Sequence, residues 1–548
     1  MSLHLSKLIF VLVWLALVLL VRLAIKRRSY PYPLPPSPKS LPLIGNLLQM
    51  PESHRWLHFY RWSRDTYGPI MYLNLGGLSM IVLSTHEAAM DLLVKRGAHY
   101  SDRPRFVVAG DMVTKGMHQL LRQYDSAYRL HQRLEAPLLS VQASEHYQPV
   151  QELESRQLLL DLMKSCDEEG ERGVEFYHFF DRTAASIIYF LLYGYRFKTG
   201  HEPELQDAHS VQEAAVETIQ LGKYIVDVFP SLNVLPRVFA PWKAKAEALY
   251  ILERDLHLGN FNRGLASPGW NLTKQLKEAS SLNATKATAS DEELAFDLGI
   301  IGDAALDTSS AALQWFIVAW VTHGSGFVAE AQLLLDQVVG RDRLPEFEDR
   351  PYMPFIDAIC NEVLRWRPVV VGGMPHLAGQ DEMYNNYRIP AGSMVVGNHF
   401  AITRDESVFG ADVDSFVPER WLINDPKEKP SLKKLPQTGF GFGRRMCTGR
   451  HIALNSMFIS AARLLWAFDV QLAAAEDRSE VKNMGEQWGS ADMKAGDTGC
   501  IDGFNLRPKH FKVVFRPRGP WARMLIMERG NTHEHLLEHG DIQHENPE

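Results

Sequence analysis

The stretch SDEELAFDLGIIGDAALDTSSAALQWFIVAWVTHG, from Ser290 to Gly324, reads as one helix. Ser290 and Glu293 form a capping box, in which each side chain satisfies the other's free backbone donor. At about 1.5 Å per residue the span reaches roughly 50 Å, enough to cross an entire domain. Its middle, Gly302 to Ala312, is rich in small residues, which lets something bulky lie against it. A second helix ends in NEVLRWRP, where Pro368 stops it. Short β-like runs at Ile70 to Gly76, Met80 to Thr85 and MVVGNHFAI add a minor sheet, and no internal repeat occurs. The expected fold is mainly α with a small β region. A chain of 548 residues makes one large or two ordinary domains.

The front end reads as a membrane anchor. An apolar run from Leu8 continues to Ile25 if Arg22 snorkels, and those 18 residues reach about 27 Å, close to the apolar thickness of an endoplasmic reticulum bilayer. Lys26, Arg27 and Arg28 follow, against a single Lys7 before, which places the bulk of the chain on the cytosolic side. A cleaved signal peptide fits poorly, because the charge lies on the wrong flank and a small-residue cleavage site is missing. Six prolines between Tyr30 and Asn46 make a stiff extended strap. The expected organisation is an anchor over 1–28, a Pro-rich linker over 29–46, a catalytic body over 47–518 and a polar tail over 519–548. The location is the endoplasmic reticulum membrane, single-pass. On the cytosolic side the sequons at Asn271 and Asn283 stay unmodified.

A net charge of −7 gives no support to nucleic-acid binding. The four cysteines, Cys166, Cys360, Cys447 and Cys500, are scattered, which argues against a disulfide framework or a clustered zinc site. HLLEH at His535 to His539 fits a zinc-protease pattern, but it lies in the polar tail with no third ligand suggested. One cysteine stands apart. FGFGRRMCTGR, Phe440 to Arg450, surrounds Cys447 with glycines and with Arg444, Arg445 and Arg450. Nearby cations or a metal lower a thiol's pKa, and backbone N–H groups of a glycine-rich loop can point at an anionic sulfur. These residues favour a single thiolate ligand under a flat cofactor. A packing cysteine, or a nucleophile of the cysteine–histidine type, remains an alternative.

Phe440, Gly443, Arg445, Cys447 and Gly449 match F-x-x-G-x-R-x-C-x-G, and the chain here resembles the cytochrome P-450 enzymes. Three further motifs of that family follow in its order: Asp307 and Thr308 in the long helix, Glu362 and Arg365 as E-x-x-R, and Phe416, Pro418, Glu419 and Arg420 as F-x-P-E-R. The likeness runs from the anchor to about Arg518 and looks closest to fungal microsomal members. It implies the P-450 fold and haem b, with Cys447 as the axial iron ligand, Phe440 beside the haem face and Gly449 letting the next helix approach. It also implies an ion network of Glu362, Arg365 and Arg420 that supports the cysteine loop. Arg445 and His376 would meet haem propionates as cations, with Tyr128 donating a hydrogen bond where the family has tryptophan. Asp307 and Thr308 would be the oxygen-activation pair, Thr308 bonding the carbonyl of Ala304. Two departures stand out: Ala305 replaces the usual glycine, and Gln132 replaces a charged residue.

The function implied is a membrane-anchored monooxygenase inserting one atom of O2 into a lipophilic small molecule, in fungal secondary metabolism. Electrons would come from NADPH through cytochrome P-450 reductase, with cytochrome b5 as an optional second donor, docked on a basic face holding Arg129 and Arg133. Substrate walls would come from the loop before Tyr124, Leu205 to Val238, Gly302 to Thr308, Val369 to Gly373 and the turn near Gly503, giving an apolar and fairly open pocket. The alternative is a haem-thiolate isomerase or dehydratase that needs no external electrons. Such enzymes tend to lose the acid–alcohol pair that Asp307 and Thr308 keep.

Overall fold

The computed structural model describes residues 31–529, apart from 221, 283–288, 424–430, 475–477, 487 and 489–497. In chain order, the elements that build the site are β1 (Ile70–Leu75), β2 (Leu78–Leu83), α1 (Ser126–Glu135), α2 (Gln148–Glu169), α3 (Tyr177–Tyr193), α4 (Pro203–Ile219), α5 (Pro241–Ala266), α6 (Asp291–Val338), α7 (Pro354–Trp366), β3 (His376–Leu377), β4 (Met394–Gly397), α8 (Arg450–Ala467), β5 (Phe468–Leu472), β6 (Cys500–Ile501), β7 (Arg507–Pro508), β8 (Val513–Pro517) and α9 (Pro520–Arg529). Helices dominate. The largest sheet has the order β1-β2-β4-β3, with β2 and β4 parallel and the outer pairs antiparallel. The residues after β4 turn into a short helix, His399–Ile402, so the strand read over MVVGNHFAI ends at Gly397.

α6 is the axis of the molecule. Its capping box is present, with Glu293 N–H donating to Ser290 Oγ at 3.2 Å and Ser290 N–H to Glu293 Oε2 at 2.9 Å. The helix does not stop at Gly324 but runs on to Val338, 48 residues in all. An interior glycine costs about 1 kcal/mol relative to alanine, and burial of Phe327, Val328, Ala331 and Leu335 outweighs it. α3, α5, α7 and α8 pack around this axis. One large apolar cluster joins Trp315, Phe316, Trp366, Phe458 and Trp466, and a second joins Leu192, Leu298, Leu306 and Ile452.

The proline strap is extended and tied to the body: Tyr72 N–H donates to Pro36 O at 2.9 Å, and Arg388 N–H to Pro33 O at 2.8 Å. At the other end, a body ending at 518 falls short of α9. Ala522, Leu525 and Ile526 form a buried stripe at helical spacing, and Trp521 packs edge-on to Trp466 with centroids 4.6 Å apart. Asn271 is buried and donates to Gly264 O at 2.8 Å, which removes it as a glycan acceptor. None of the described helices is long and apolar enough to cross a membrane. The run from Leu8 to Ile25, the Asn283 sequon and HLLEH lie outside the described residues.

Candidate active site

The loop before α8 places Cys447. Its N–H donates to Phe440 O at 2.8 Å, closing the loop on itself. Gly443 makes this closure possible: its φ is +59°, and a Cβ there would lie 2.3 Å from Leu93 O. At Gly449, by contrast, a Cβ would meet nothing within 4 Å, so the helix start faces open space. Cys447 is itself exposed at the floor of this opening, with Met446 and Thr448. Backbone N–H groups of Gly449 and Arg450 point at the sulfur.

Of the three arginines expected to supply positive charge here, Arg450 acts on the thiol. Burial around the floor pushes its pKa up, and only the two backbone N–H groups and Arg450 act in the other direction. Arg445 is turned away. Its guanidinium donates to Ser101 O at 2.7 Å, Gln119 O at 3.2 Å and Arg122 O at 2.7 Å, and lies 3.8 Å from the centroid of the Tyr128 ring.

Beside it sits Arg103, which the sequence reading missed. It is 2% exposed and donates to Pro375 O at 2.6 Å and Leu120 O at 3.1 Å. Burial, then Arg445, pull its pKa down to about 9. Neither guanidinium forms an ion pair among the described residues. His376, buried next to them, donates from Nδ1 to Tyr100 O at 2.7 Å. Burial, Arg103 and Arg445 hold it well below the usual histidine range, so the expected cation is a neutral imidazole here. A buried and a half-buried guanidinium, with Asp102 as the one carboxylate acting on both, suit a further anion. The only sequence signal for Arg103 was a basic residue before proline in SDRPRF.

Support for the loop comes from α7. Glu362 is fully buried and accepts five hydrogen bonds: two from Arg365 at 2.7 Å each, and one each from Arg420 at 3.0 Å, Trp421 Nε1 at 2.9 Å and Val417 N–H at 2.8 Å. Arg365 spends its remaining donors on the carbonyls of Val413, Thr403 and Ser415. From the same helix, Asn361 takes a 2.8 Å hydrogen bond from Gln437, where the cysteine loop begins. The network read from the sequence is complete.

Ile452, two residues into α8, shares an apolar cluster with Leu306 of α6, and Ala305 packs against that cluster. Ala304 is exposed in the middle of a helix otherwise largely buried, whereas Gly302, Ser310, Ala311 and Ala312 of the small-residue stretch are buried. Thr308 Oγ1 donates to Ala304 O at 2.7 Å, as expected. Asp307 points elsewhere, into an ion pair with Arg507, whose guanidinium also lies 3.8 Å from Asp181. Burial raises the Asp307 pKa, with Arg507 opposing it. Arg129 and Arg133 are exposed on α1, and Gln132 is half-buried between them.

The donor set fits an iron macrocycle carrying carboxylates: one thiol open on a single side, a helix face of small residues, and unpaired guanidiniums. No group of three or more metal-ligating side chains occurs among the described residues. The family model described as Cytochrome P450 matches residues 35–489. The chain is 37% identical to the cytochrome P450 monooxygenase aneD of Aspergillus aculeatus, over 89% of this chain and 88% of that one. It is 37% identical to the cytochrome P450 monooxygenase FrzL of a Cladobotryum species, over 90% and 91%. It is 36% identical to the cytochrome P450 monooxygenase drtD of Aspergillus calidoustus, over 88% and 86%.

Proposed function

The chain belongs to the cytochrome P450 family, whose enzymes hold haem on a cysteine thiolate, and from that premise we propose a membrane-bound monooxygenase acting on a lipophilic small molecule in fungal secondary metabolism. The observation that carries this reading is the Cys447 floor, open on one side and addressed on the other by backbone N–H groups. Cys447 would ligate the haem iron, Arg445 and Arg103 would hold its carboxylates with His376 and Tyr128 beside them, and Phe440, Gly443 and Gly449 would shape the receiving surface. Bound haem supplies the reduction of O2, one oxygen atom passing to substrate and the other to water, with two electrons and two protons consumed.

The chain's own residues manage the protons and the water. Thr308 Oγ1 rotates between Ala304 O and the dioxygen side of the groove, carrying one proton at a time. Asp307 exchanges protons with the Arg507 and Asp181 cluster behind it, and burial makes its carboxyl able to hold one. The Glu362 network holds the cysteine loop still during this traffic.

Electrons arrive from NADPH through cytochrome P-450 reductase, with the exposed Arg129, Arg133 and Arg444 supporting a basic docking face. Location at the endoplasmic reticulum membrane is supported by an apolar surface. Leu43 (77% exposed), Leu48, Val234, Val238 (88%) and Phe239 are all open to solvent. The two segments adjoin at Gly76, which takes Ile44 O on one side and the Phe229 ring on the other. The test is the carbon-monoxide difference spectrum of the reduced holoenzyme. The red-shifted Soret band of cysteinate-bound haem is expected in the wild type and absent in Cys447→Ser. A Cys447→Ser variant that keeps the band overturns the assignment.

A further inference from the structure

On the side of α6 away from the cysteine loop, helices α4, α5 and α6 enclose a polar cluster that neither haem anchoring nor oxygen chemistry uses. Asp303 lies on α6, Glu253 and His257 one turn apart on α5, Gln212 on α4, and His118 in the connection before α1. Gly299 makes the room: a Cβ there would fall within 2.5 Å of three imidazole atoms of His257. The His257 ring stands edge-on to Phe296, centroids 5.1 Å apart. This brings His257 Nε2 to 3.6 Å from an Asp303 carboxylate oxygen, too long for a hydrogen bond. The Asp303 carboxylate accepts no hydrogen bond from a described residue. Gln212 donates to the Asp303 backbone carbonyl at 2.6 Å, which leaves Gln212 Oε1 buried without a donor. Glu253, 2% exposed, also has a buried oxygen without a partner.

The charge balance is one-sided. Burial drives His257 down to about 4 and His118 to about 3, so both imidazoles are neutral. Burial pushes Glu253 up to about 8, and burial followed by Glu253 and Asp307 raises Asp303 well above the usual carboxylate range. Tyr189 and Tyr193, the other titratable groups facing Asp303, have their phenols raised and stay neutral. The nearest guanidinium, Arg507, is committed to Asp307 and Asp181. Glu253 Oε2 is a buried acid oxygen without a partner, and no cation among the described residues acts on it. Asp303 also precedes the open Ala304 by one residue and Thr308 by five, roughly 7 Å along the axis from the oxygen-activating hydroxyl. A molecule held there would have to span about one and a half turns of α6 to reach Thr308.

We propose that Asp303, with Glu253 beside it, binds a positively charged nitrogen of the substrate, so that the enzyme selects lipophilic amines. This deepens the monooxygenase reading and rests on it. The bound cation supplies the counter-charge that the protein withholds, and its binding expels the proton held between the two acids.

The test uses ferric holoenzyme with 4-phenylbutyltrimethylammonium, which carries a permanent charge and no lone pair for iron, and its uncharged carbon isostere (5,5-dimethylhexyl)benzene. Binding is read by equilibrium dialysis and by the Soret spin-state shift. The cation is expected to bind at least about tenfold more tightly, a preference that Asp303→Asn abolishes. Cation affinity should rise from about pH 6.5 to 8.5 as the carboxyls ionise, and Glu253→Gln should flatten that rise. The neutral imidazoles and phenols do not titrate in that range. Affinities within about twofold for the two probes, or binding of neither, overturn the proposal; so does a preference that survives Asp303→Asn. If Asp303→Asn does not fold, the pH profile in wild type and Glu253→Gln decides alone. An absent carbon-monoxide band would overturn the haem-thiolate reading instead, whereas an intact band without charge preference overturns only this one.

Discussion

Replacing Glu362 by glutamine tests what holds the cysteine loop. Glu362 Oε1 accepts from Arg365, Arg420 and Val417, and Oε2 from Arg365 and Trp421. An amide serves best with its nitrogen at the Oε2 position, so two acceptor bonds are lost there and two buried N–H groups face another donor. Losing a bond to a charged group costs about 1.5–3 kcal/mol, and stranding buried donors costs a similar amount. The sum, about 3–5 kcal/mol, equals the usual cost of breaking a buried ion pair. Against a total stability of about 5–15 kcal/mol this is a large share. The assay is a urea titration followed through the carbon-monoxide Soret band. With a slope of about 3 kcal/mol per molar or steeper, the midpoint falls by about 1 M. Haem coordination should fail before tryptophan fluorescence reports global unfolding, because Asn361 ties this helix to Gln437 at the start of the cysteine loop. Arg420→Gln in the Glu362→Gln background should show a coupling of about 1–3 kcal/mol. A midpoint shift under about 0.2 M, the effect of an ordinary surface change, would refute the reasoning.

Thr308→Ala removes the hydroxyl now bonded to Ala304 O, and should lower product formed per NADPH by about tenfold or more while NADPH consumption continues; unchanged coupling, measured as product against cofactor oxidised, refutes that role. Glu253 gives a pH signature. Its folded pKa of about 8 lies above its unfolded value, so the folded state binds the extra proton and stability falls as pH rises between about 5 and 8. Glu253→Gln should flatten that fall by about 1.4 kcal/mol per pH unit, measured by urea unfolding across the range.

The cysteine loop, the capping box, the Thr308 to Ala304 bond and the Glu362–Arg365 pair were legible because each is fixed by spacing within a few residues, whereas Arg420 joins that pair from 58 residues away and was implied only by the family resemblance. A turn of helix brings Glu362 and Arg365 together whatever surrounds them. The length of α6 was not legible, since Gly324 and Gly326 resemble a stop and only the tertiary burial of Phe327 and Leu335 carries the helix past them. The raised Cys447 thiol was not legible either. Arg445 adjoins it in sequence, yet the fold spends that guanidinium on carbonyls of the chain around Ser101 and Gln119. Arg103 and the Asp303 cluster depend on contacts between distant segments, and no local pattern marks them.

One rule, that buried polar groups need partners, separates the two sides of α6. Around Glu362 the buried network is saturated. All five N–H groups of Arg365 and both oxygens of Glu362 are used, so this support of the cysteine loop stays rigid. Between α4 and α5 the saturation fails at Gln212 and Glu253, near the Asp303 carboxylate of α6, which accepts no hydrogen bond from a described residue. A scaffold able to satisfy five donors around one carboxylate can satisfy others. The unsatisfied acids therefore mark where binding energy is left for a substrate, and their sign sets the charge that substrate carries.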